Sequence, residues 1–272
     1  MTNPVFSTTI IFQTAGRSTG FWEDGAYRTR QRKGRAFMKI KFELFAIKFL
    51  KVFITGINRV LSKCKMALVV QMRSVGWKRP SFVNGYDYIR FSSMELVARE
   101  IHERKIPGDV AELGVYRGDF ASKINIAFPD RKLYLFDTFE GFAAKDIETE
   151  KEKSYSKMEN NDFSDTSVSL VMKKMKYPNN CIVKKGFFPK TAEGVDATFS
   201  FVSIDCDLYD PILSGLEFFW DRLSTGGYIF VHEYNQTEYL GTNAAVNEFL
   251  KSHPEVHFFP LTDQGGSIVL MK

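Results

Sequence analysis

The chain predicts an α/β fold: a doubly wound, mostly parallel sheet carrying an N-terminal amphipathic helical extension. Three observations lead there. From Tyr86 onward, strand-like and helix-like segments alternate at the spacing of strand–helix–strand units. Two clusters of acidic residues stand at the ends of apolar runs, "VAELGVYRGDF" with "YLFDTF" and "SIDCDLYDP" with "FVHEYN". The last two apolar segments, "VHFFPL" and "SIVLMK", are separated only by "TDQGG", which predicts an antiparallel hairpin at the sheet's edge. With 272 residues, 44% apolar and 15% aromatic, one sizeable core can be buried.

Taken in order, "SSMELVAREIHERKI" puts Met94, Leu96, Val97 and Ile101 on one stripe, a helix covering a sheet face. "DVAELGV" reads as a buried strand, "DFASKINIAF" as a helix, "KLYLFDTF" as a strand, "TSVSLVMKKM" as a helix and "CIVKKG" as a strand. "FSFVSIDCD" is a further strand, "PILSGLEFFWDRL" a helix starting at proline, "GGYIFVHEY" a strand and "NAAVNEFLKS" a helix. Residues 143–165 are charged and almost without large apolar side chains, which suggests a mobile lid or a plain solvated loop on the ligand-binding edge.

Charge divides the chain. Residues 1–80 carry 16 Lys and Arg against 3 Asp and Glu, a net +13, while residues 81–272 carry 21 against 29, a net −8. The expected organisation is a basic, unfolded segment over 1–36, an amphipathic helical extension over 37–80 and a catalytic domain over 81–272. The start of the chain lacks the charged-then-apolar pattern of a secretory leader. Within 37–66, the polar positions Lys41, Lys48, Lys51, Thr55, Arg59 and Lys63 step by 7, 3, 4, 4 and 4, one stripe on an otherwise apolar helix. Lysines interrupt the run before it could span a bilayer. Such a helix either lies on an anionic membrane face or packs on protein, its own domain or a second copy. Nucleic acid is not expected, since no zinc finger or aromatic-basic RNA motif accompanies the charge. Cys64, Cys181 and Cys206 form neither a disulfide framework nor a CxxC pair, consistent with a reducing, cytoplasmic location, at most peripheral to the inner face of a membrane.

The acidic clusters carry the chemistry. Glu112 ends the first strand, Gly114 permits a tight turn, and Gly118 lets the backbone approach a ligand before the next helix. This Glu-x-Gly-x-x-x-Gly differs from the dinucleotide GxGxxG, and its carboxylate suits a cation such as the ammonium of an amino acid. Asp137 ends the second strand, where a carboxylate can accept two ribose hydroxyls. A nucleoside joined to an amino acid is S-adenosyl-L-methionine; the alternative is that both features serve packing alone. In the second cluster, Asp205 and Asp207 follow one strand, and His232 and Glu233 follow the next. Oxygen ligands with one imidazole suit Mg2+ or Mn2+. The competing account has Asp207 capping the helix near Pro211 while Asp205 makes backbone contacts only. Tyr86, Tyr88 and Arg90 either line an acceptor pocket or pack. Lys184, Lys185, Phe187 and Phe188 either border an adenine or serve as surface and core, and His253 and His257 receive no role.

The runs "GDVAELGVYRGDFASKINIAFPDRKLYLFDTFEGF" and "FVSIDCDLYDPILSGLEFFWDRLSTGGYIFVHEYN" resemble the macrocin O-methyltransferase (TylF/MycF) family over about residues 86–271. The resemblance implies a seven-stranded, Rossmann-like class I methyltransferase sheet that uses S-adenosyl-L-methionine and magnesium for sugar O-methylation. It also implies a cofactor set of Glu112, Gly114, Tyr116, Gly118, Asp137 and Phe139, and Asp205 as first metal ligand. The family's adjacent carboxylate pair stands here as His232 and Glu233, which makes Glu233 a ligand and leaves His232 as ligand or base. His232 and Asp207 are the candidate proton acceptors for an in-line methyl transfer to a sugar or glycoside, such as a surface-polysaccharide or natural-product precursor. A nicotinamide-dependent oxidoreductase and a noncatalytic membrane-associated scaffold are the competing classes. A homo-oligomer is compatible with all of them.

Overall fold

A computed structural model describes residues 52–54, 56–61, 63, 70–73, 80–83, 87–156, 163–236, 240–263 and 265–272. The chain divides into two compact units, Met1–Tyr88 and Ile89–Lys272, which are considered separately. In the first, residues 52–54 and 56–61 are helical, and β1 (Val70–Arg73) pairs antiparallel with β2 (Pro80–Val83) from Val70↔Val83 to Arg73↔Pro80. This ladder crosses the boundary that composition suggests at 80/81. The segment expected to be unfolded, 1–36, and the first part of the expected helix lie outside the described residues.

The second unit follows the alternation expected. Its elements are α1 (Tyr88–Glu103), β3 (Asp109–Leu113), α2 (Asp119–Ala127), β4 (Leu133–Asp137), α3 (Ala144–Lys153), α4 (Val168–Met172), β5 (Cys181–Lys185), β6 (Phe199–Ile204), α5 (Tyr209–Arg222), β7 (Leu223–Val231), α6 (Leu240–Ser252), β8 (His257–Pro260) and β9 (Ile268–Met271). The seven strands stand in the order β5-β4-β3-β6-β7-β9-β8. β3, β4, β5, β6 and β7 run parallel, and β9 is antiparallel to both β7 and β8. Chain order reverses between β3 and β6, so their carboxyl ends open the crevice where ligands bind in such sheets.

Strand periodicity feeds two cores. On one face Ala111, Phe136, Val202 and Ile204 meet Leu216 and Phe219 of α5 and Val246 and Phe249 of α6. On the other, Val110, Leu133, Phe201 and Phe230 meet Met94 and Ile101 of α1 and Phe120 and Ile124 of α2. All six residues of β6 are buried, the signature of a central strand covered on both sides.

One segment departs from expectation. Residues 144–153 of the supposed lid form α3, with Asp146, Ile147 and Glu150 buried. Glu150 Oε1 accepts the Tyr209 backbone N–H at 2.8 Å, Thr149 donates to Asp210 at 2.5 Å, and the Lys153 ammonium lies 3.6 Å from the Tyr209 ring centre. Polar residues thus fasten this helix to the start of α5. That helix begins at Tyr209, ahead of the proline, and its N-cap residue Leu208 offers no side-chain bond. The cap is Glu150, from a distant element, and Asp207 does not play that part.

Candidate active site

The loop after β3 is built by two glycines. Gly114 has φ +85°, and a Cβ there would lie 2.1 Å from the Asp205 carbonyl oxygen, so only glycine lets the ends of β3 and β6 approach. Asp205 N–H in turn donates to Leu113 at 2.8 Å. Gly118, at φ +76°, is the N-cap of α2, and a Cβ would press on Val171 at 2.9 Å. Gly118 therefore serves packing against α4 as well as the turn.

Asp137 organises this loop. Its Oδ2 accepts the N–H groups of Val115 at 2.7 Å and Tyr116 at 2.8 Å, and its Oδ1 accepts that of Phe139 at 2.5 Å. Three of its roughly four acceptor positions are committed to backbone. Phe139, expected beside a cofactor, is 4% exposed and belongs to the core. Tyr116 is tied to residues 163–166: its hydroxyl donates to Asp165 at 2.5 Å, its ring meets Phe163 edge-on at 5.0 Å, and its carbonyl accepts Thr166. Glu112 is 1% exposed, its Oε2 has no hydrogen-bond partner, and burial pushes its carboxyl well above the usual range.

The second cluster meets the first on the same rim. Asp205 Oδ2 receives Arg90 Nη1 at 2.7 Å, and Asp205 Oδ1 faces His232 Nδ1 at 2.9 Å. Burial alone would raise the Asp205 carboxyl, yet the Arg90 guanidinium and the His232 ring hold it well below the carboxylate range. Arg90 also reaches Ser203 Oγ at 3.0 Å and stacks 3.9 Å over the Phe120 ring. Asp205 thus does far more than contact backbone. The Asp207 and Glu233 carboxyls face one another; burial raises both, and the neighbouring Glu233 charge raises Asp207 further. Both residues sit at positive φ, +62° and +58°, strained positions at which the loops after β6 and β7 turn. Glu233 Oε2 is buried without a hydrogen-bond partner.

His232 lies against the turn between β8 and β9, where a Cβ on Gly265 would be 2.3 Å from Nε2. With Nδ1 at Asp205 and a ring nitrogen within 4.8 Å of an Asp263 carboxylate oxygen, the ring stands between two carboxyls and is placed to orient Asp205. Arg90 is the residue whose role the sequence leaves open. It lies four residues before Met94 on the buried stripe of α1, and a charge on an apolar stripe is the signal that marks it. Lys185 pairs with Glu140 at the surface, Phe188 fills the core and His253 stacks on Phe249, all without a role at the rim.

Asp205, Asp207 and Glu233 bring carboxyl oxygens of the kind a hard divalent cation takes to one edge, but among the described residues their oxygens do not already converge on one point. The buried Glu233 Oε2, without a hydrogen-bond partner, needs either a proton or a positive charge.

The chain matches the family model described as macrocin-O-methyltransferase (TylF) over residues 38–258. Among solved structures it is similar to the O-methyltransferase NovP, at 19% identity and a TM-score of 0.56, covering 70% of this chain and 81% of that one. It is also similar to CalS11, a calicheamicin methyltransferase, at 18% identity and a TM-score of 0.53, covering 67% and 78%. These likenesses show a common fold. No curated protein sequence matches significantly. The fold is thus the Rossmann-like class I methyltransferase sheet, and the chain belongs to the macrocin O-methyltransferase family, making it an S-adenosylmethionine-dependent O-methyltransferase.

Proposed function

We propose that the chain methylates a hydroxyl of a sugar or glycoside, a precursor of a surface polysaccharide or a natural product, with the help of Mg2+ or Mn2+. The observation that carries this reading is the paired Asp207 and Glu233 carboxyls beside Asp205, with the buried, unpartnered Glu233 Oε2. The names of the family and of CalS11, a calicheamicin methyltransferase, favour a glycoside as acceptor.

A sulfonium supplies an already activated methyl, so the difficulty lies in the acceptor, whose hydroxyl is protonated and weakly nucleophilic near neutral pH. Asp205 and Glu233 would hold the cation, which would supply Lewis-acid polarisation of that hydroxyl. Asp207, whose buried carboxyl is raised toward the protonated form, accepts the hydroxyl proton on its carboxylate oxygen. His232 and Arg90 fix the plane of Asp205 and offset its charge. Asp137 holds the Val115–Tyr116 peptides in place, and Glu112 Oε2 offers the donor's ammonium the partner that the protein itself does not provide.

Incubation with labelled S-adenosylmethionine and a panel of nucleotide sugars and glycosides, with Mg2+ or with chelator, tests the reading. Methyl transfer should occur with one class of sugar, fall at least about a hundredfold in chelator, and be lost in Glu233→Gln while S-adenosylhomocysteine still binds. Full turnover in chelator would remove the cation from the scheme. Transfer to phenols or amines alone would remove the sugar.

A further inference from the structure

A second group of carboxyls borders the rim and takes no part in the chemistry above. α3 carries Asp146 and Glu150 on one side, a turn apart, and they are only 6% and 1% exposed. Asp210, at the head of α5, raises the Asp146 carboxyl, and Glu150 adds to the effect. The charge of Asp146 also acts on the Cys206 thiol, which stands between Asp205 and Asp207, so the group adjoins the loop after β6. Glu150 Oε1 and Asp210 Oδ2 are occupied, by the Tyr209 N–H and the Thr149 hydroxyl. Asp146 Oδ1 and Glu150 Oε2 are buried without a hydrogen-bond partner. The lysines of α3 do not serve them: Lys145 is exposed, and the Lys153 ammonium lies over the Tyr209 ring.

We propose that Asp146 and Glu150 receive a protonated amine carried by the acceptor, which makes the acceptor an amino sugar; the inference rests on the sugar reading given above. Two acidic oxygens without a donor call for positive charge and for several N–H groups from one source. A sugar hydroxyl brings one proton and no charge. An ammonium brings three N–H donors and can serve both oxygens at once. A metal ion answers the charge, but it needs its ligand oxygens about 2.4 Å away around one point, and among the described residues Asp146, Glu150 and Asp210 do not form such a set. An ammonium nitrogen bonds oxygens about 2.8 Å away and therefore spans a wider gap. Holding two buried carboxyl oxygens unpaired lowers stability, a cost that a bound amine offsets. Asp146 is the more open of the two and so meets the amine first.

The test uses the full chain and a panel of nucleotide amino sugars, each beside its N-acetylated and its hydroxyl counterpart. Binding is read by calorimetry with S-adenosylhomocysteine present, and methyl transfer by labelled donor. At least one amine should bind about tenfold or more better than both of its counterparts. Asp146→Asn and Glu150→Gln keep the shape of the side chains, and the second keeps an oxygen for the Tyr209 N–H. Each should lose about tenfold of that preference through KM, with kcat, S-adenosylhomocysteine affinity and turnover of uncharged sugars unchanged. Equal handling of amines and counterparts by the wild type, or a preference that survives in both variants, would overturn the proposal. Transfer to uncharged sugars alone would overturn it and leave the sugar reading standing. Transfer to phenols alone would remove the sugar reading, and calorimetry with the amino sugars would then decide for or against the two carboxyls without turnover. Binding of Ca2+ that Asp146→Asn abolishes, with no preference for amines, would give the pair to a metal and overturn the proposal as well.

Discussion

Arg90 Nη1 lies 2.7 Å from Asp205 Oδ2, with the two side chains only 6% and 23% exposed, so the first turn of α1 is ionically joined to the end of the central strand. A buried pair of this kind is costly to break from one side. Arg90→Met leaves Asp205 without its chief counter-charge and should destabilise the domain by about 3 kcal/mol in urea unfolding. The acid limb should move as well. Because the folded-state carboxyl of Asp205 is held below its unfolded value, its contribution is present above the ordinary carboxylate range and is lost as pH falls through the folded value. Arg90→Met should therefore destabilise strongly at pH 7 and converge on wild type in strong acid. A uniform loss at every pH would mean that the guanidinium only fills space over Phe120.

The approach of Gly114 to Asp205 gives a second expectation. Gly114→Ala drives a methyl into a carbonyl oxygen 2.1 Å away, whereas Gly194→Ala, also at positive φ (+71°), meets nothing within 4 Å. The first should cost more than about 3 kcal/mol and abolish binding of S-adenosylhomocysteine by calorimetry. The second should cost only the left-handed backbone penalty, about 1 kcal/mol. Equal effects of the two would show that backbone conformation, and not the closeness of the rim, decides.

Asp137→Asn removes one of two oxygens that together accept three backbone N–H groups. Stability should fall by about 1–2 kcal/mol, as for an end cap. Affinity for S-adenosylhomocysteine should fall at least about tenfold, because the loop that the side chain holds is the one a nucleoside would face. Unchanged affinity would show that loop order is set elsewhere.

Asp146 supplies a pH signature of opposite sign. Its Oδ1 is buried without a hydrogen-bond partner, and burial, helped by the Asp210 carboxyl, pushes its pKa up to about 7. A raised folded value means that the contribution is complete below the unfolded pKa and declines as pH rises toward 7. Asp146→Asn should match wild type near pH 4 and exceed it by about 2 kcal/mol at pH 8, after allowance for solvent screening. Melting curves across that range decide the matter, and parallel curves for the two proteins would refute it.

The sheet is legible because parallel strands buried on both faces announce themselves: "FSFVSI" and "YLF" leave no polar face for an alternative, and "TDQGG" permits only a tight reversal. The acidic ends of β3, β4, β6 and β7 are legible for the same reason, since a carboxylate closing an apolar run has few places to go. What the sequence does not reveal are the links made across distance. α3 reads as a solvated stretch because its anchors are Ile147 and the cap that Glu150 gives to Tyr209, a bond spanning 59 residues. Arg90 reads as a residue near the pocket, but its pairing with Asp205 spans 115 positions and leaves no local trace. The covering of His232 by Gly265 is equally silent in the sequence, since it depends on where β9 returns beside β7.

That last contact gives the terminal hairpin a duty beyond completing the sheet. Gly265 leaves no space for even a methyl beside the imidazole, so the turn works as a stop against which the ring rests, and the tilt of the ring sets how Asp205 is presented. Lengthening or shortening that turn by one residue would shift a carboxyl of the proposed cation site while leaving every recognisable motif untouched. Variation in the tail of such a chain can thus alter turnover without altering any signature residue.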